Sequence, residues 1–205
     1  MRVTVIDYKA GNLTSVLKAL RHLGAEPEVT DSDLALVESA DRIVLPGVGH
    51  FAATERLDST GLTGAIRTAI ARGVPFFGIC VGMQWLYAGS SEAPTQPGLG
   101  ALAESCTRFA ESNEKVPHVG WNSLEVKKGS RLLANVEPGE YVYFTHSFKG
   151  PVTADTAATT FYIEPFAAAV ERGNVMGVQF HPEKSGATGL KILRNFLFWK
   201  AEGAE

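Results

Sequence analysis

Cys80 sits in Gly78-Ile79-Cys80-Val81-Gly82, between the apolar run Pro75-Phe76-Phe77 and Met83-Gln84-Trp85-Leu86. The pattern predicts a buried strand, a sharp turn and a helix, with the thiol on the turn. That arrangement presents a nucleophile at the tip of a sheet. Glycine on each side removes the side chains that would collide with so tight a turn. A helix starting there aims its N-terminal amides at the sulfur and favours thiolate, the reactive form. A small buried cysteine closing a strand would give the same local pattern without chemistry, so the reading depends on partners elsewhere in the chain.

The partners come about a hundred residues later, in Val175-Met176-Gly177-Val178-Gln179-Phe180-His181-Pro182-Glu183-Lys184. A thiol nucleophile needs a base that takes its proton and returns it to a leaving amine, and histidine titrates in the right range. A carboxylate can fix that ring's tautomer and orientation. In an extended segment residues two apart point to the same side, so His181 and Glu183 are expected to face one pocket. A third stretch, Pro46-Gly47-Val48-Gly49-His50, ends the apolar run Arg42-Ile43-Val44-Leu45. Glycine there can bring backbone N–H groups to a site at the strand's end, or mark a plain turn. His50 follows the glycine loop and could line the site or merely cap it. His22 is expected on a solvated helix face, and His118 and His146 in strand-like or loop segments; their spacing is not that of metal ligands.

These residues need a scaffold, and the first half supplies one by alternating strands and helices. Val3-Ile6 reads as a strand. Asn12 can cap a helix with Leu13, Val16, Leu17, Leu20 and Leu23 on one face, and Gly24 is placed to end it. Val29 lies in a second strand, residues 33–40 suggest a short helix, and Leu62, Ile66, Ala69 and Ile70 mark another that Gly73 ends. Alternation of this kind argues a mostly parallel sheet. Residues 90–100 read as loop. Strand-like runs then follow at short spacing, around 124–126, 141–144, 157–160, 167–170 and 175–179, before a helix over 190–198. The expected fold is α/β: a mostly parallel central sheet flanked by helices, with antiparallel strands added in the second half. No linker divides residues 1–205, so one domain is expected.

Composition narrows the function. A net charge of -3 offers no basic field for nucleic acid. No apolar run reaches membrane-spanning length, and the chain opens on a strand rather than a signal peptide. With two cysteines, the second of them Cys106 in an unremarkable polar setting, the reading is a cytoplasmic protein with reduced thiols and Cys106 structural.

The Gly-x-Cys-x-Gly elbow followed much later by His-Pro-Glu resembles the class I, or triad, glutamine amidotransferases, whose flavodoxin-like fold agrees with the alternation above. The resemblance runs from Val3 to the final helix. Within that group, Ile6-Asp7-Tyr8 with Gly11-Asn12-Leu13, Leu45 to Gly49, Gly78 to Gln84, Pro117-His118-Val119-Gly120-Trp121-Asn122, Tyr143 to Phe148 and Gln179 to Ser185 are similar to the glutaminase subunits of imidazole glycerol phosphate synthases.

The resemblance implies roles. Cys80 attacks the side-chain amide of glutamine to form a γ-glutamyl thioester; His181 is base, then acid; Glu183 orients it. Val81 with Val48 and Gly49 would form the oxyanion hole, after an inward turn of an amide in the glycine loop. Gly47, Gly49, Gln84, Ser147 and Phe148 match positions that hold glutamine. Asn12, Trp121, Tyr143 and Lys184 match positions that face a (β/α)8-barrel cyclase subunit, which would receive the ammonia within a heterodimer and use it in histidine synthesis. No cofactor or metal is implied. Lys9 and Phe148 depart from the pattern, which often has glycine and tyrosine there. Three other readings use parts of the same pattern. They are the small subunit of anthranilate or aminodeoxychorismate synthase, a freestanding thiol γ-glutamyl hydrolase, and a scaffold that has lost the chemistry. The Gly-Trp-Asn stretch argues against the first, and retention of Cys80, His181 and Glu183 argues against the last.

Overall fold

The computed structural model describes residues 1–9 and 13–200. Both expectations for Asn12, helix cap and partner contact, lie outside the described residues. The first half alternates as its sequence predicts: β1 (Arg2–Ile6), α1 (Leu13–His22), β2 (Glu26–Thr30), α2 (Leu34–Glu38), β3 (Ile43–Gly47), α3 (Glu55–Ser59), α4 (Leu62–Ala71), β4 (Phe76–Cys80) and α5 (Val81–Gln84). The second half is strand-rich: β5 (Gly89–Ser90), β6 (Ser105–Arg108), β7 (His118–Ser123), β8 (Glu125–Val126), β9 (Tyr141–His146), β10 (Phe148–Lys149), β11 (Thr156–Tyr162), β12 (Glu164–Arg172) and β13 (Val175–Val178). The last helix is α6 (Gly186–Leu197).

Eight strands form the central sheet in the order β2-β1-β3-β4-β13-β12-β11-β8. The first five are parallel to one another, and β12, β11 and β8 continue the sheet antiparallel. Every residue of β3, β4 and β13 is buried, as expected of central parallel strands covered on both faces. α1 packs on α6, while α2 and α3 pack on α4. Val16, Ala19 and Leu20 bury one face of α1, with Leu13, Leu17 and Leu23 half-buried beside them, and Gly24 follows in a left-handed conformation at φ +82°. A two-stranded antiparallel ribbon, β7 with β9, and a small β10-β6-β5 sheet stand outside the main sheet. Among the described residues no helix is long and apolar enough to cross a membrane.

Candidate active site

The strands β3, β4 and β13 run parallel, so their C-terminal ends open on one side, where α/β sheets hold their ligands. Cys80 ends β4 with φ 55° and ψ -110°, a region that costs a non-glycine residue roughly 1–3 kcal/mol and marks a functional turn. The surrounding backbone enforces the elbow. A Cβ at Gly82 would collide with the carbonyl oxygen of Leu45 on β3, and one at Gly78 with the carbonyl of Gly82.

The helix after the elbow starts where expected, at Val81, but it is short. α5 is a single turn, Val81–Gln84; after the helical bond from Trp85 N–H to Val81, the N–H groups of Leu86 and Tyr87 reach back only three residues and the chain tightens out of the helix. A macrodipole builds up over several turns, so little of it is available here. A side chain supplies what the helix does not: Gln179 Nε2 donates to Cys80 Sγ at 3.6 Å, while the Thr145 backbone carbonyl oxygen on β9 lies 4.0 Å from Sγ as an acceptor.

His181 follows β13. Its Nδ1 meets Glu183 Oε1 at 2.9 Å, and both side chains are almost wholly buried. The contact is the expected one, reached by a different route. His181 is extended, but Pro182–Lys184 forms a 3₁₀ turn that swings the carboxylate back under the ring. Among the described residues Nε2 has no hydrogen-bond partner, which leaves it as the nitrogen free to exchange a proton with Cys80. Burial works to lower the His181 pKa; the Cys80 sulfur and the Glu183 carboxylate outweigh it and raise it to about 9. The ring is therefore poised to be imidazolium at neutral pH.

The loop holding His181 is strapped to the β7–β9 ribbon. His181 N–H donates to the Tyr143 carbonyl at 2.9 Å, Tyr143 N–H donates to Ser185 Oγ at 3.0 Å, and Ser185 Oγ–H donates to the His181 carbonyl at 2.6 Å. On the ribbon's outer face Trp121 packs edge-on to Tyr143 at 6.1 Å between ring centres, and Lys184 Nζ lies 5.9 Å from the Tyr143 ring. Trp121 is 54% exposed, so an indole and a phenol ring face outward with a lysine beside them.

In front of Cys80 is a cleft of about 230 Å³ lined by Val48, Gly49, Val81, Gln84, Ser147 and Phe148, together with Glu92, Pro117, Thr145 and His146. The sequence-predicted oxyanion and glutamine positions thus meet around the thiol. Gly49 has φ +98°, which needs glycine. Gly47 stands just behind, and a Cβ there would strike the Tyr8 hydroxyl. Gln84 spends its amide nitrogen inward, on the Phe148 carbonyl at 2.9 Å and on Gln179 Oε1 at 3.0 Å. His50 caps the 3₁₀ turn at Phe51–Thr54, its Nδ1 accepting from Ala52 N–H at 3.1 Å. Cys106 is fully buried with its thiol pushed up by burial, as a structural cysteine would be.

Three residues at the site carry no local signal strong enough to assign them there from sequence. Glu92 lies in a loop and reaches the cleft while accepting from Phe51 N–H at 2.7 Å. Ser185 and Tyr8 arrive through tertiary packing. Gln179 could have been found, since it stands two residues before His181 and shares its side of the chain.

Lys9 adopts φ 63°, a left-handed conformation in which glycine is the natural residue. Its ammonium bridges Asp7 and Asp31, at 3.0 Å from each.

The family model for class I glutamine amidotransferases matches residues 4–199. The imidazole glycerol phosphate synthase subunit HisH of Deinococcus radiodurans is 46% identical over 95% of this chain and 92% of its own. The protein of the same name from Methanosarcina acetivorans is 43% identical over 96% and 98%. Among solved structures, a glutamine amidotransferase superposes with a TM-score of 0.75 at 22% identity, covering 95% of this chain and 96% of that one. The chain so described, with its thiol elbow at the sheet's edge, belongs to the class I glutamine amidotransferase family.

Proposed function

We propose that this protein is the glutaminase subunit of an imidazole glycerol phosphate synthase, releasing ammonia from glutamine for a cyclase partner. One observation carries the catalytic half: the Cys80 thiol opens on a cleft, and the buried His181 imidazole is held by Glu183 at 2.9 Å. The Cys80 thiolate adds to the side-chain carbonyl of glutamine. The oxyanion that forms takes N–H donors from Val81 and the Val48-Gly49 segment, each worth about 3–4 kcal/mol. The His181 imidazolium gives its proton to the departing nitrogen, ammonia leaves, and a γ-glutamyl thioester remains. His181, now neutral, takes a proton from water as water attacks the thioester, and glutamate departs with the thiolate restored. Glu183 holds the ring through both proton transfers.

Gln84, Ser147, Phe148, Gly47 and Gly49 hold the glutamine, and the Glu92 carboxylate supplies negative charge suited to its α-ammonium group. The partner half rests on the relatives' shared identity and on the outward aromatic face. Trp121, Tyr143 and Lys184 receive the cyclase, and Asn12 joins them on the same account. Exposed aromatic side chains of this kind are typical binding anchors. The covalent intermediate is the direct test. Rapid acid quenching during glutamine turnover should leave a γ-glutamyl adduct on the peptide containing Cys80, and none in Cys80→Ala. Turnover without an adduct on that peptide would remove Cys80 from the nucleophile's role.

A further inference from the structure

We propose that Gln179 is a further catalytic residue, whose side-chain amide donates a hydrogen bond to the Cys80 sulfur and holds it as thiolate facing the cleft. The proposal rests on the reading of Cys80 as nucleophile and adds a residue to it.

The direction of the bond is fixed by chemistry several residues away. An amide side chain could face a sulfur with either its oxygen or its nitrogen. Here one backbone carbonyl decides. Phe148 C=O can only accept, and Gln84 lies 2.9 Å from it, so Gln84 must present its NH2 there. The same nitrogen has a second hydrogen, directed at Gln179 3.0 Å away, so Gln179 must answer with its oxygen. Its NH2 is then left toward Cys80, at 3.6 Å from Sγ. Reversing Gln179 would set two NH2 groups face to face and put an amide oxygen against a thiolate. Gln179 is fully buried and Gln84 almost so, which leaves no water to relieve either mismatch.

The other groups around the sulfur do not take this role. His181 must shuttle a proton and cannot remain a fixed donor. The Thr145 carbonyl at 4.0 Å can only accept, which suits the thiol and not the thiolate. Among the described residues the Tyr8 hydroxyl has no hydrogen-bond partner, and its ionised form is disfavoured by burial and by Cys80. The one-turn helix α5 gives little field. Gln179 is a fixed, neutral donor aimed at Sγ, and hydrogen bonds to an ionised acceptor are the strong ones.

The test reads the thiol itself. Iodoacetamide alkylation of Cys80, followed on its peptide against pH, gives the thiolate's midpoint without requiring turnover. Gln179→Glu places an oxygen against the sulfur while keeping an acceptor for Gln84; Gln179→Leu removes the donor. Alkylation at neutral pH should fall roughly 10- to 100-fold in both, with the midpoint displaced upward and melting curves still cooperative. In the complex with the cyclase, kcat should fall by a similar factor with little change in KM for glutamine. In the unaltered protein, the Gln179 side-chain NH2 resonances should titrate with the alkylation midpoint, a readout that needs no variant. An unmoved midpoint in both variants, or NH2 resonances flat across that midpoint, overturns the proposal. A chain that alkylates as expected yet never releases glutamate contradicts the glutaminase reading and leaves Gln179 in place.

Discussion

Gly47 and Cys80 are register partners at the C-terminal ends of the adjacent parallel strands β3 and β4. The nucleophile and the start of the glycine loop are therefore delivered together by one stretch of backbone pairing. β13 pairs with β4 on its other side, Val178 opposite Ile79, and brings Gln179 and His181 to the same edge. The chemistry is assembled by strand register, and changes that disturb the register's close approaches should be costly.

Gly82→Ala tests that approach. Its Cβ would meet a backbone oxygen of β3, which cannot move without breaking the sheet. A loss of about 3 kcal/mol or more is expected, a drop in Tm of roughly 10 °C, with glutamate release lost. Gly64→Ala in α4 is the control: the space there is open, and a gain of about 0.5–1 kcal/mol is expected. Equal melting temperatures for the two variants would contradict the packing at the elbow.

Glu183→Gln removes the charge behind His181. The folded His181 pKa, raised to about 9, lies above its ordinary value near 6.5. The corresponding stability is fully present below pH 6.5 and is lost as pH rises through 9. In Glu183→Gln that alkaline loss should shrink and its midpoint move down, and kcat for glutamate release should fall about 100-fold or more. Chemical denaturation between pH 6 and 10, with initial rates on the same samples, checks both.

His118 and His146 give the opposite slope. His146 Nδ1–H donates to the Phe148 carbonyl at 2.9 Å, so its Nε2 accepts from His118 Nδ1–H at 3.1 Å. His118 Nε2 in turn faces the Asn122 amide at 3.4 Å. A proton on either ring would set two donors against each other. Burial lowers both, His118 to about 4 and His146 to about 3. Their folded values lie below 6.5, so the stability they carry is present above pH 6.5 and lost as pH falls through 4 and 3. A loss of about 2 kcal/mol or more is expected between pH 7 and 4, and much less in His118→Asn, by denaturant titration.

Trp121→Ala should leave folding nearly unchanged, because the indole is largely exposed. Its effect should fall on association: the Kd for the cyclase subunit should weaken by about 30-fold or more by calorimetry, as for an aromatic anchor. Unchanged affinity would move the docking face away from the β7–β9 ribbon.

What the sequence revealed is what lies close together along it. Cys80 with its flanking glycines, and His181 with Glu183, are short patterns; the first carries its turn in its spacing, while the second gives the contact but not the 3₁₀ turn that makes it. The alternation of strands and helices gave the parallel half of the sheet. The order of the strands, the ribbon carrying Trp121 and Tyr143, and the placement of Glu92 and Tyr8 depend on pairings between distant residues, which leave no local mark. Phe51–Thr54 and α3 were too short for helical periodicity to register. Lys9 shows the converse: a left-handed backbone occupied by a residue that sequence reasoning would not place there, held by two carboxylates.

On the proposed function, glutamine hydrolysis here serves a partner. The deciding measurement is glutamate release by the purified chain, alone and with the cyclase subunit and its nucleotide substrate. A low rate alone, a strong rise in the complex, and no release from Cys80→Ala under either condition are expected. A high rate indifferent to the cyclase would contradict the proposed function and point to a freestanding hydrolase or a different synthase partner.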